Sequence, residues 1–289
     1  MSGASLSAAS LSGVSLSGAS LPMIEVPLTF ISPTTARPRI LMSANHADAN
    51  QRNGDFRSLP VDVADARSLS APPTLEREGF ALEQHQSSVT DFYDQAAVEQ
   101  VYYAEIVELL RRVTGAAEVH IFDHTLRVED EAKRRMHGTR LPVAVAHNDY
   151  TEQSALQRVR DVLAPETAER FLAGRFAIVN VWRSFGASSE RFPLAVADGR
   201  TIGPTDYIAV DLVYPDRTGE ISYPAHSSGQ RWFYFSRMQP NEAMLFKCFD
   251  SARDGRTRYT VHTGFANPHA PSETPPRESI EVRTLLRFA

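Results

Sequence analysis

A histidine and an aspartate two positions apart, His147-Asn148-Asp149, follow the short apolar run 141–146. In extended chain, residues two apart point to the same side, so an imidazole and a carboxylate there can grip one ion. A second imidazole, His262, comes 115 residues later, inside the strand-like stretch 258–268. Two His and one carboxylate on one side of an ion leave the opposite positions open, which suits Fe(II) oxygenases. The chain has nine histidines, and a lone His-x-Asp is common by chance, so the metal reading needs support from its surroundings.

Past His262, Arg277-Glu278-Ser279 stands at the entry to another strand pattern. A guanidinium and a hydroxyl on one side of a strand can take the distal carboxylate of 2-oxoglutarate in a forked, charge-assisted contact. Without a metal nearby the same residues would read as a salt-bridged strand end. Arg283, six residues on, falls on the same face and competes as the anchor. Within Val179-Asn180-Val181-Trp182-Arg183, Asn180 and Trp182 share one face while Arg183 takes the other. A polar amide on the inner face of a barrel must find a partner, and a bound oxo-acid would supply it. Arg183 is a reserve candidate for a carboxylate; Asn180 and Trp182 read equally well as satisfied core. Tyr207, Tyr234 and His226 read as packing or loop.

These residues must be held by something, and the sequence suggests what. Residues 1–22 repeat a Ser-Leu-Ser-Gly-like unit without any charge, too poor in bulk to build a core, and read as a disordered tail. Residues 24–86 read as an irregular wrapping arm with strand-like pieces at 26–31 and 39–42. Apolar positions Val98, Val101, Tyr102, Ile106, Leu109, Leu110 and Val113 recur at helical spacing, with Ser88 and Asp91 as a start signal and Gly115 as a stop. A strand follows at 118–127, then a helical region at 152–173 interrupted by Pro165. Beyond it come short β-branched and aromatic runs at 176–184, 207–214, 231–238, 243–249, 258–265 and 280–288, with no helices between them. That spacing implies an antiparallel barrel or sandwich. The expected fold is mainly β, a double-stranded β-helix (jelly roll) buttressed by α-helices, in a single domain over 23–289. Within it, 23–115 form an arm and helix, and 116–289 a jelly-roll core with a helical insert.

With 289 residues and 42% hydrophobic content the chain can bury a substantial core. One cysteine, Cys248, excludes an internal disulfide, and no apolar run approaches the roughly 20 residues that cross a bilayer; a cytoplasmic, reducing setting is expected. A formal net charge of −5 with pI near 6.0 argues against a nucleic-acid surface, which needs clustered cations. A small-molecule partner is favoured; the oligomeric state is left open.

Several phrases together carry a family resemblance: 147–151 (His-Asn-Asp-Tyr-Thr), 179–184 (Val-Asn-Val-Trp-Arg-Ser), Pro193-Leu194-Ala195 followed by Asp198, 259–268 around His262, and 276–283. The run Pro240-Asn-Glu-Ala-Met-Leu-Phe246 also resembles the Pro-Gly-Asp-x-x-x-Phe approach to the distal ligand strand of jelly-roll oxygenases. From about Asp91 to the end, the chain resembles the CmcJ/AsaB-like family, which includes a cephamycin-pathway hydroxylase component and the fungal gibberellin desaturase. The resemblance implies oxidative tailoring of a small molecule by hydroxylation, desaturation or oxidative cyclisation in natural-product biosynthesis. It also implies Fe(II) held by His147, Asp149 and His262, with 2-oxoglutarate and O2 as co-substrates. Two other readings stand beside it: a cupin-like metal enzyme that needs no 2-oxoglutarate, and a non-catalytic jelly-roll binding protein.

Overall fold

The computed structural model describes residues 21–33, 36–41, 51–186 and 188–289. In chain order the strands and helices run β1 (Met23–Ile31), β2 (Arg39–Leu41), β3 (Gln51–Arg52), β4 (Phe56–Asp65), β5 (Phe80–Gln84), α1 (Gln95–Ala97) and α2 (Tyr103–Thr114). There follow β6 (Glu118–Val128), α3 (Glu131–His137), α4 (Glu152–Val162), α5 (Pro165–Leu172), β7 (Phe176–Ser184), β8 (Leu194–Ala197), β9 (Tyr207–Val213) and β10 (Thr218–Pro224). The chain ends with β11 (Trp232–Tyr234), β12 (Glu242–Asp250), β13 (His262–Gly264) and β14 (Glu278–Arg287).

The strands form three curled sheets, in the orders β5-β12-β7-β14-β6, β1-β4-β11-β8-β13 and β10-β9-β2-β3. This is the jelly roll, mainly β with helices against it. Strands β7 and β12 are buried at every position, because both faces of their sheet are covered. Ile178, Trp182, Phe246 and Cys248 face the barrel interior, while Val179 and Val181 pack under Ile106, Leu109 and Leu110 of α2. Period-two alternation in a strand thus serves two cores at once.

The long amphipathic helix ends at Gly115 in the left-handed region (φ 70°), whose N–H bonds the Arg111 carbonyl. Its start differs from the expectation. Asp94, not Ser88 or Asp91, caps it by accepting from Ala96 and Ala97 N–H, and a π-helical turn at Val98–Tyr102 joins α1 to α2. Asp91 instead folds back to accept from Tyr93 N–H. The second helical region breaks where Pro165 opens α5, as its sequence requires.

The stretch read as an irregular arm is more regular than expected. β1 and β4 pair antiparallel from Met23↔Ala64 to Ile31↔Phe56, and β4 runs parallel to β11 inside the barrel sheet. Val26, Leu28, Phe30, Val61 and Val63 fill a core with Trp232. Burial of alternate residues stabilises these strands despite Pro27, Pro60 and the polar side chains between them. Conversely, the strands expected at 231–238 and 258–265 shrink to three residues each, β11 and β13. Of the tail assigned to residues 1–22, positions 1–20 lie outside the described residues. Leu21 packs on the core and the Pro22 carbonyl accepts from Asp65 N–H.

Candidate active site

His147 and His262 are fastened to each other through the backbone: His147 N–H bonds the His262 carbonyl at 3.1 Å, and His262 N–H returns the bond at 2.9 Å. One residue on, Asn148 exchanges the same pair of bonds with Ser222 of β10. Its buried amide also donates to the carbonyls of Tyr150 and Cys248. Directly after Asp149, Thr151 caps α4 in a reciprocal box with Ser154. The His-x-Asp segment is therefore clamped on both sides by the barrel and by a helix start.

Both imidazoles are buried, 8% and 3% exposed. Nδ1 of His147 lies 2.8 Å from the Val145 carbonyl and Nδ1 of His262 lies 3.3 Å from the Thr260 carbonyl. A carbonyl only accepts, so each Nδ1 carries the proton and each Nε2 keeps its lone pair for an ion. Those Nε2 atoms stand 3.5 and 3.9 Å from Oδ1 of Asp149, and one ligand atom from each of the three residues lies within 4.8 Å of the others. Burial pushes the His262 imidazole down to about 3, which keeps it neutral. Burial alone would raise Asp149, but the adjoining His147 ring and the charge of Arg283 outweigh it and hold the carboxyl well below the usual carboxylate range.

The other oxygen of Asp149 is already taken. Oδ2 accepts from Asn180 Nδ2 at 2.8 Å and from Arg283 Nε at 3.2 Å. Arg283 is held in turn by Glu281, Asp123 and Thr125. Asn180 and Arg283 are direct cross-strand partners in the β7–β14 ladder, so one register places both donors on one carboxylate oxygen. The structure thus puts Asn180 and Arg283 behind the metal ligand, orienting it so that a single oxygen faces the two imidazoles.

Arg277 has the opposite character. It is 2% exposed, donates through Nε to Ser279 Oγ at 2.9 Å and through Nη1 to the Phe192 carbonyl at 3.2 Å, and lies 4.9 Å from the Trp182 ring centroid. Among the described residues it forms no ion pair. Burial and the neighbouring charge of Arg127 push its guanidinium down to about 9. Arg127, unnoticed in the sequence, is likewise destabilised by burial. Both guanidiniums line a narrow cleft with His147, His262 and Glu281. Glu281, the acid in that cleft, is occupied by Arg283 and Asn180. A buried and a half-buried guanidinium beside the two imidazoles, with the one acid of the cleft already held by Arg283 and Asn180, call for an anion.

Arg183 does not join this group. It crosses to the outer face of the sheet, contacting the His85 ring and the carbonyls of His85 and Pro240 and lying 5.6 Å from the rings of Phe92 and Tyr102. Strand alternation is the reason, since Asn180 and Arg183 are three apart. On the other side of the triad, a cavity of about 920 Å³ opens on Asp149 and Arg283 and is walled by α4, β6 and the β9–β10 hairpin.

A jelly roll carrying two imidazoles and one carboxylate oxygen around a common point, with an uncompensated cationic cleft beside it, defines the class of metal-dependent oxygenases that take an anionic co-substrate. Known proteins agree. A family model described as an oxidoreductase/YMDC permease-like domain matches residues 28–287; among the described residues, no helix is long and apolar enough to cross a membrane. The chain is 33% identical over 252 residues to a hydroxylase/desaturase of Cercospora beticola, covering 80% of this chain and 77% of that one. It is 37% identical over 195 residues to an Fe(II)/2-oxoglutarate-dependent dioxygenase of Aspergillus novofumigatus, covering 67% and 68%. A solved iron and alpha-ketoglutarate-dependent endoperoxidase superposes with a TM-score of 0.82 at 30% identity, over 92% of this chain and 98% of the other. The chain belongs to the CmcJ/AsaB-like family of Fe(II)/2-oxoglutarate-dependent oxygenases. The relatives speak against the two other readings, a metal enzyme without this co-substrate and a non-catalytic binder.

Proposed function

We propose that His147, Asp149 and His262 hold the iron, that Arg277 with Ser279 takes the distal carboxylate of 2-oxoglutarate, and that Arg127 supplies the second cation of that cleft. The enzyme hydroxylates, desaturates or oxidatively cyclises a small molecule in natural-product biosynthesis. The observation that carries this reading is the buried guanidinium of Arg277, which forms no ion pair among the described residues, in the same cleft as both imidazoles. When bound, iron would bring O2 to 2-oxoglutarate and substrate, O2 supplying the oxidising power, 2-oxoglutarate two electrons as it goes to succinate and CO2, and the substrate C–H bond the other two. The chain's own part is to position and to exclude water. The Nδ1–H bonds of both histidines fix the rings; Asn180 and Arg283 reserve Oδ2 of Asp149, so that Oδ1 alone binds. The cationic cleft is narrow, lined by Arg127, Arg277, His147 and His262. We read residues 23–289 as one oxygenase domain, because β1, β4 and β5 are built into its two five-stranded sheets.

The test is an oxygen-free titration with Fe(II) followed by 2-oxoglutarate, then measurement of succinate on adding air. One iron per chain and succinate release are expected. A wild-type iron content in His147→Ala, Asp149→Ala or His262→Ala would remove the assignment.

A further inference from the structure

We infer that the substrate carries an anionic oxygen group, a carboxylate, and that Arg158 of α4 receives it inside the cavity that opens on Asp149. This rests on the reading above and extends it from the metal to the substrate.

The charges lining that cavity are almost all engaged. Asp149 is held by Asn180 and Arg283, and Asp123 by Arg283. Asp211 and Glu220 are both held by Arg37, Glu220 also by Thr151; Asp161 accepts from Gln157 at 2.7 Å. Arg37 and Arg283 are thereby used up as cations. Arg140 has a partner of its own, and Arg217 is exposed, lying over the Tyr214 ring.

Arg158 differs from all of these. It is half-buried, and among the described residues it forms no ion pair and no hydrogen bond; its Nε is enclosed without an acceptor. Its guanidinium carbon lies 5.6 Å from the Phe122 ring centroid and 5.9 Å from that of Tyr150. Two aromatic faces hold the cation in place without using its in-plane N–H donors. A planar oxyanion bonding to the guanidinium from the cavity would satisfy its unpaired charge, which a neutral ligand cannot. Tyr150 is the chain neighbour of Asp149, so the charge sits on the wall that carries the metal ligand.

The experiment is calorimetric titration, under nitrogen, of protein saturated with Fe(II) and 2-oxoglutarate, using matched acids and amides: phenylbutanoate against phenylbutanamide, and naphthoate against naphthamide. Each acid should bind about tenfold or more tightly than its amide. Arg158→Met should raise the Kd of the acids about tenfold and leave the amides within about twofold, and Arg158→Lys should restore part of the preference. A purely structural role for Arg158 would shift acid and amide alike. Acids that bind no better than amides, or a preference that survives in Arg158→Met, would overturn the inference. The titration is repeated on metal-free protein. An Arg158-dependent preference there, in a chain that failed to bind iron, would sink the metal assignment and leave the carboxylate site standing.

Discussion

Replacing Arg277 by Met should stabilise the protein when 2-oxoglutarate is absent and deprive it of the co-substrate when it is present. The guanidinium is held at about 9 against an ordinary 12.5, a difference that at about 1.4 kcal/mol per pH unit makes its charge cost on the order of 5 kcal/mol. The folded state binds this proton less readily than the unfolded chain. The penalty is therefore fully present below about pH 9 and fades as pH rises toward 12.5. Met keeps an apolar stem against Trp182 but gives up the bonds to Ser279 and to the Phe192 carbonyl, a loss of about 1 to 1.5 kcal/mol each. The balance is a gain of about 2 kcal/mol, or roughly 4 °C in Tm for a chain of this size. Adding 2-oxoglutarate at about a hundred times its Kd should stabilise the wild type by about 2.7 kcal/mol and the variant by almost nothing, so that the order of the two melting curves reverses. Thermal unfolding at neutral pH, with and without 2-oxoglutarate, reads both effects. If Arg277→Met melted below the wild type without 2-oxoglutarate, or if 2-oxoglutarate raised both Tm values equally, the idea of a cation awaiting its anion would be refuted.

Further expectations concern the groups around that pair. Arg277→Lys retains the charge but loses the fork, and should weaken 2-oxoglutarate by about 1.5 to 3 kcal/mol, about ten- to a hundredfold in Kd; a large loss confined to Arg283→Lys, with iron binding intact, would move the anchor there. Asn180→Leu releases one of the two donors on Asp149 Oδ2, so Fe(II) affinity should fall about ten- to a hundredfold, measured by competition with a metal-sensitive dye. Gly79→Ala adds a methyl only 2.3 Å from Thr260 Oγ1 at a φ of +94°. Because the Thr260 carbonyl orients the His262 ring, Tm and iron affinity should fall together. Starting the chain at Leu21 should leave both within error, since the preceding residues carry no charged side chain and little bulk.

The triad was legible because its logic is local: His147 and Asp149 are two apart, and His262 lies in a strand pattern. What the neighbouring polar residues do was not legible, because it depends on which strand lies beside which. Asn180 read equally as co-substrate ligand or satisfied core, and Arg283 as a competing anchor; the β7–β14 register sets them opposite each other, and both bond Asp149. Arg127 gave no signal, because it gains meaning only through its pairing with Ser279 across β6 and β14. Arg183 could have been excluded earlier, since alternation alone sends it to the outer face. In the amino-terminal stretch, Pro60, Asp62 and Arg57 masked β4. Its β character comes from partners, β1 and β11, that no local window contains.

The paired backbone bonds between His147 and His262 also order events in time. Residues 115 apart meet only when the intervening helices and strands have closed that loop, a contact that is slow to form because its entropy is lost before it is rewarded. Neither half of the site can assemble on a fragment of the chain. Iron uptake therefore reports the closure of that loop: in a refolding experiment the metal should bind no earlier than the phase that forms the His147–His262 bridge, and on unfolding it should leave when that bridge opens.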